Sequence, residues 1–253
     1  SLPPLPATLT YLDCQENQLT SLPALPTTLI QLYCDDNQMT SLPALPLSLY
    51  YLDCSNNQLT SLTALPATLE LLYCQNNQFV SLPALPATLI QLFCNNNQLT
   101  SLPALPASLE DLNCGSNQLT SLPPLPATLT WLDCRANQLT SLPALPSTLP
   151  TLYCPQNQLI SLPALPATLT GLFCYYNQLT SLPSIPGKTK FFNCSNNPIT
   201  CFPTIVPRSP GYFPWHLIDI KNTSIPCIPN QNTFPLSVVQ TSQPLPFCSP
   251  ANS

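Results

Sequence analysis

Ten cysteines, Cys14, Cys34, Cys54, Cys74, Cys94, Cys114, Cys134, Cys154, Cys174 and Cys194, follow one another every 20 residues without an insertion. A file of thiols offers three chemistries, and the spacing bears on each. Nucleophilic attack needs a thiolate with a base beside it; no Cys, Ser or Lys here has one, and the sole histidine, His216, is assigned to a C-terminal cap. Zinc needs four converging ligands, which a straight file does not supply. A disulfide needs Cβ vectors that face each other, whereas equivalent residues of stacked strands point the same way. The ten are therefore expected to be small buried hydrophobes, and no metal or cofactor is expected.

Three further cysteines, Cys201, Cys227 and Cys248, fall outside this file. A cross-link among them would clamp a fraying end, so they are candidates for a cap disulfide. Cys201–Cys227, Cys227–Cys248 and Cys201–Cys248 all stay open. Because thirteen is odd, one thiol at least is free in any monomer. Such a bond would place the chain outside the cell.

Two variable columns flank the cysteine period. One reads Asp13, Tyr33, Asp53, Tyr73, Phe93, Asn113, Asp133, Tyr153, Phe173 and Asn193; its neighbour includes Tyr11, Tyr51, Asp111, Trp131 and Phe191. Rings interspersed with carboxylates and amides combine contact area with directional hydrogen bonds, as protein and glycan recognition requires. The alternative is that the rings stack along a sheet and stabilise it without any ligand. Paired acids such as Asp13 with Glu16, or Asp35 with Asp36, resemble a glycosidase pair only in type, since an open sheet has no pocket to raise one pKa. Nor are they spaced as calcium ligands. No catalytic residue is assigned.

The elements that carry these columns follow from the repeat. Only 6% of the 253 residues are charged, Pro reaches 34 and Gly falls to 4. The net charge of −5 leaves no basic footprint for nucleic acid, and no apolar run is long enough to cross a membrane. Around each cysteine runs L-x-x-L-x-C-x-x-N-Q-L-T-S-L-P-A-L-P-A-T, as at Leu89, Leu92, Cys94, Asn97, Leu99, Leu102, Pro103, Leu105 and Pro106. In x-L-x-C the alternation sends Leu92 and Cys94 inward and Gln91 and Phe93 outward, which predicts one short strand per repeat. Just past each strand stands an asparagine, at Asn17, Asn37, Asn57, Asn77, Asn97, Asn117, Asn137, Asn157, Asn177 and Asn197. These amides are predicted to form a ladder that satisfies backbone groups at the corner. The prolines of L-P-x-L-P exclude a helix from the return segment and suit an extended, polyproline-like path.

This 20-residue unit with L-P-x-L-P resembles the short bacterial class of leucine-rich repeats, found in secreted effectors and in surface proteins of Bacteroidota. The resemblance covers about residues 1–206 and implies a right-handed curved solenoid with a parallel sheet on its concave side and almost no helix. Cysteine here replaces the Val or Leu usual in that family. Some effectors of the class carry a separate ubiquitin-ligase domain; nothing after Ser195 is long enough for one, so that activity does not carry over.

Residues 1–206 are thus read as ten repeats, 207–229 as a degenerate eleventh with an insertion, marked by Ile218, Ile220, Thr223, Ile225 and Ile228, and 230–253 as a cap. Ser1 begins in mid-repeat with S-L-P-P-L-P, so the chain is expected to be processed, truncated or built to stack on something at that end. The function expected is that of a non-enzymatic, secreted or cell-surface binding scaffold, adhesin-like, whose concave aromatic and acidic face takes a protein or glycan. The alternative is an extracellular filament in which copies of the chain stack end to end through an uncapped first coil. A third idea, ice binding, rests on the hydroxyl column that begins Thr20-Ser21 and Thr40-Ser41.

Overall fold

The computed structural model describes residues 2–201, 205–206, 217–226 and 239–241. The chain makes two compact units, Ser1–Leu129 and Thr130–Ser253. Each is a parallel β-solenoid, and no helix occurs among the described residues. Most of the expected cap, 230–253, lies outside the described residues, as do His216, Cys227 and Cys248.

In the first unit, β1 (Tyr11–Asp13), β2 (Gln31–Tyr33), β3 (Tyr51–Asp53), β4 (Leu71–Tyr73), β5 (Gln91–Phe93) and β6 (Asp111–Asn113) pair in chain order, parallel and without offset: Leu32 lies opposite Leu52, and Leu52 opposite Leu72. The 20-residue period is therefore one full coil. In the second unit β7 (Trp131–Asp133), β8 (Thr151–Tyr153), β9 (Gly171–Phe173) and β11 (Phe191–Asn193) continue the same pattern, while β10 (Ile185–Pro186) pairs with β12 (Ile205–Val206) on the return side. β13 (Leu217–Asp219) then sets Leu217 opposite Phe191, where an unbroken period would have brought Gly211, and β14 (Val239–Gln240) pairs with β13.

Alternation along each strand fills the core. Leu89, Leu92, Cys94 and Leu99 are fully buried, as are their equivalents from the second coil to Cys174 and Leu179, whereas Leu9, Leu12 and Leu19 of the first coil are half-buried, and burying each leucine fully contributes about 2 kcal/mol. Met39, Phe79 and Ile199 take the place of the last leucine and stay fully buried. The thiol file thus forms part of the hydrophobic stack.

Two side-chain ladders close the corners. Asn57 Nδ2 donates to Cys34 O at 3.0 Å in the preceding coil and to Cys54 O at 3.3 Å and Ser55 O at 3.0 Å in its own, while its Oδ1 accepts the Met39 N–H at 2.9 Å. Asn37, Asn77, Asn97 and Asn117 repeat this in the first unit and Asn157, Asn177 and Asn197 in the second, and Asn17 makes the bonds to its own coil. One amide thereby satisfies backbone groups of two coils. The second ladder is formed by the Thr or Ser eight places into each repeat: Thr28 Oγ1 lies 2.9 Å from Ala7 O and 2.8 Å from Leu9 O, and Ser48, Thr68, Thr88, Ser108, Thr128 and Thr168 do the same.

Each corner also contains a left-handed residue, with φ between 50° and 56° from Glu16 to Asn196, and Asn222 matches them at 53°. None is glycine, although asparagine, which tolerates this conformation best among non-glycine residues, fills four of the ten file positions: Asn56, Asn76, Asn96 and Asn196. Past Asn222, Thr223 takes the place of the ladder asparagine and donates to Ile220 O at 2.8 Å.

Replacing Asn57 by Ala leaves the Met39 N–H and three carbonyls without the amide, at a cost of about 2–4 kcal/mol. Chemical denaturation is expected to show that loss, whereas Gln58→Ala, at an exposed neighbouring position, is expected to leave the midpoint unchanged.

Candidate binding face

The outward residues of each unit form a row of rings that zigzags between the two variable columns. In the first unit the centroids run Tyr11 to Tyr33 at 5.4 Å, Tyr33 to Tyr51 at 4.4 Å, Tyr51 to Tyr73 at 5.5 Å and Tyr73 to Phe93 at 5.1 Å. In the second, Trp131 lies 5.7 Å from Tyr153, which stacks on Phe173 at 4.5 Å with planes 1° apart. Gly171 makes room for that pair: a Cβ there would lie 3.2 Å from the Phe173 ring and 3.0 Å from Thr151 Cγ2. All these separations lie within the stacking range, so part of the ring area stabilises the sheet itself. Tyr11 and Trp131 remain exposed, and Tyr33, Tyr51, Tyr73, Phe93, Tyr153 and Phe173 keep one side partly open to solvent.

The carboxylates of the row divide by duty. Asp53 Oδ1 accepts the Ser55 N–H at 3.0 Å and hydroxyl at 2.7 Å, and Asp13 Oδ1 accepts the Gln15 N–H at 3.3 Å. Asn113, Asn193 and Asp219 cap their corners in the same way. A short acceptor at the strand end thus closes a turn two residues on. Asp133 departs furthest from the expectation of a displayed acid: it is only 3% exposed, and Arg135 covers it, Nη2 lying 3.0 Å from Oδ2. It holds a corner and is not presented to a ligand. Asp111 Oδ2 accepts Gln91 Nε2 at 2.7 Å, and the Tyr73 hydroxyl donates to Gln91 Oε1, so Gln91 belongs to the row although its column position did not single it out.

Burial opposes ionisation across this face. Asp35 has an oxygen, Oδ1, that is buried without a hydrogen-bond partner, and its carboxyl is pushed up to about 6 by burial and then by the neighbouring Asp53. Burial raises Asp53 and Asp133 as well, and raises the hydroxyl of Tyr51, with Asp53 adding to it. The ladder thiols move the same way. Burial lifts Cys14 to about 11 and Cys94 to about 12, and it lifts Cys34, Cys54, Cys74, Cys134, Cys154 and Cys174 well above the usual value, with the adjoining thiols next in size. All ten ladder cysteines are free and buried, and burial disfavours the charged thiolate. Cys201 is exposed and free; the two other candidates for a cap disulfide are outside the described residues.

No protein-family model and no curated protein matches the chain. Solved structures do. YopM from Yersinia enterocolitica is 35% identical over 96% of this chain and 57% of its own, with a TM-score of 0.82. YopM from Yersinia pestis, described as a leucine-rich effector protein, is 34% identical over 88% of this chain and 63% of its own, with a TM-score of 0.79. The chain is a bacterial-type leucine-rich-repeat protein. The functional domain of InlJ from Listeria monocytogenes, described as including a cysteine ladder, is 25% identical over 87% of this leucine-rich-repeat chain and 55% of its own, with a TM-score of 0.64. The chain thus spans less than two thirds of each of these relatives.

Two pH dependences follow. Asp35 titrates near 6 when folded against an ordinary 3.8, so between pH 6 and 4 the folded state binds the extra proton and the first unit gains stability as pH falls. Asp35→Asn, which copies Asn95, is expected to raise the melting temperature at pH 7.5 and to flatten its rise on acidification. The thiols behave alike at the alkaline end: their stabilisation is complete below the ordinary value of 9.0 and is lost as pH rises through folded values such as about 12 at Cys94. Melting temperature is expected to fall steeply above pH 9, and less so in Cys94→Val. Maleimide at pH 7 should label Cys201 and spare the ladder until the protein unfolds.

Proposed function

We propose that this leucine-rich-repeat protein is a non-enzymatic scaffold that recognises a protein partner through the outward strand face of its first unit. The observation that carries the proposal is the unbroken row Tyr11–Tyr33–Tyr51–Tyr73–Phe93, five neighbouring rings on one side of a sheet. The coil itself needs no ring at these outward positions, since Asp, Asn, Leu, Gln, Thr and Gly occupy them elsewhere with the same register. Large, half-open aromatic side chains fixed at known spacing lose little entropy on binding. A secreted or cell-surface setting suits such a scaffold and agrees with the description of the Yersinia pestis relative as an effector.

The test compares the chain with a Tyr33→Ala/Tyr51→Ala/Tyr73→Ala variant whose circular dichroism and melting transition show that it is folded. Partners captured by the parent are expected to be lost by the variant. The scaffold reading fails if both capture the same set. A glycan array run in parallel separates sugar from protein recognition, and ring-dependent signal there would replace the protein ligand with a glycan. Negative-stain images complete the test: long fibres that persist in the variant would favour end-to-end assembly of copies.

A further inference from the structure

The charges of the chain are segregated by unit. Residues 1–129 contain no Lys, Arg or His; the five basic residues are Arg135, Lys188, Lys190, Arg208 and Lys221. Eight of the ten acids lie before residue 130, the exceptions being Asp133 and Asp219. No lysine or arginine of the first unit therefore neutralises its own carboxylates. Five of the eight fall in coils one to three: Asp13, Glu16, Asp35, Asp36 and Asp53.

Those same coils grade from apolar to acidic along the chain direction. Ahead of β2 and β3 stand Ile30, 43% exposed, Leu47, 81% exposed, and Tyr50, 37% exposed. On the strands lie Tyr11, Tyr33 and Tyr51, and just after them come Glu16 and Asp36, exposed in successive corners, with Asp35 beside Asp36. Leu47 is the sharpest departure from the template, because the other repeats place Ala, Thr, Ser or Gly at this turn position. Large exposed apolar residues next to rings mark a surface built for contact.

We propose that coils one to three dock a cationic segment of a partner protein, with an apolar flank of that segment against Ile30, Leu47 and Tyr50, its rings or alkyl stems on Tyr33 and Tyr51, and its Arg or Lys groups beside Glu16, Asp35 and Asp36. The inference rests on the scaffold reading above and names the chemistry of its partner. Arginine fits best, since a guanidinium takes a carboxylate in a fork and stacks on a tyrosine face. The same field repels nucleic acid and anionic lipid, and it speeds the encounter with a basic protein.

The experiment uses the full chain and two end-blocked peptides of equal length, one of alternating Arg and Leu and one with Glu for Arg, followed by fluorescence anisotropy. The Arg peptide is expected to bind and to weaken as NaCl rises from about 50 to about 500 mM, and the Glu peptide is expected not to bind. Glu16→Asn/Asp35→Asn/Asp36→Asn installs residues that the repeat already accepts at Asn95 and Asn96, and it should lower affinity about tenfold. A control at acids away from the row, Glu70→Gln/Glu110→Gln, should lower it less than about twofold. Weakening by this control equal to that of the triple variant, or equal binding of both peptides, would overturn the proposal. The ring variant separates the layers: loss of Arg-peptide binding there, with no effect of neutralising Glu16, Asp35 and Asp36, overturns the cationic partner and leaves the ring face standing. No effect of either variant overturns both.

Discussion

Everything in this fold depends on one geometric condition, that within each unit each coil sits over the last without offset. The asparagine ladder enforces it. Asn57 reaches a carbonyl one coil back with the same amide that holds two carbonyls of its own corner, and its oxygen takes the Met39 N–H. A slip of one residue would orphan all four groups at once and turn Leu52 and Cys54 outward. The Thr and Ser ladder on the opposite corner imposes the same condition from the other side, bridging two carbonyls of the previous coil at Thr28, Ser48 and Thr68. Register is thus held by side chains as well as by the short three-residue strands.

With the register fixed, inward and outward positions acquire separate duties. Leu92 and Cys94 are needed by the core, and a thiol serves there because it is small, polarisable and, once buried, uncharged. Outward positions are free to vary, and the rings of the first unit make use of that freedom. The acids interleaved with them are less free than their alternation suggests. Asp13 and Asp53 hold the chain two residues ahead, and Asp133 does so from a nearly closed site under Arg135. Asp35 is the opposite case, since one of its oxygens is buried without a hydrogen-bond partner, a local cost that the rest of the coil offsets.

Much of this was legible before any coordinates. The cysteine period, the alternation around Leu92 and the position of the asparagines specify a coil of 20 residues with one strand each, because those features are dictated by core burial and corner hydrogen bonding, which repeat identically. What escaped was carried by positions whose residue type is common. The Thr or Ser at the return turn has no assigned role in the sequence reading, although its recurrence in nine successive repeats from Thr8 to Thr168 is the available signal. The left-handed corner at Glu16, Ala136 and Tyr176 was hidden by the variety of its residues, since backbone hydrogen bonds there outweigh local preference. Gln91 gained its place only through Tyr73 and Asp111, a relation between columns that no single column displays.

Zero offset also has a genetic side. When every junction between coils is the same, removing or adding one whole unit of 20 residues leaves two ends that still match. A gene made of such near-identical units gains and loses them by misaligned recombination, and each in-frame product closes its core as its parent did. Length therefore varies in this architecture without a new folding problem, whereas the outward rows are cut, duplicated or reordered with each event. Selection on what the surface touches acts through the number and order of coils as well as through point substitutions.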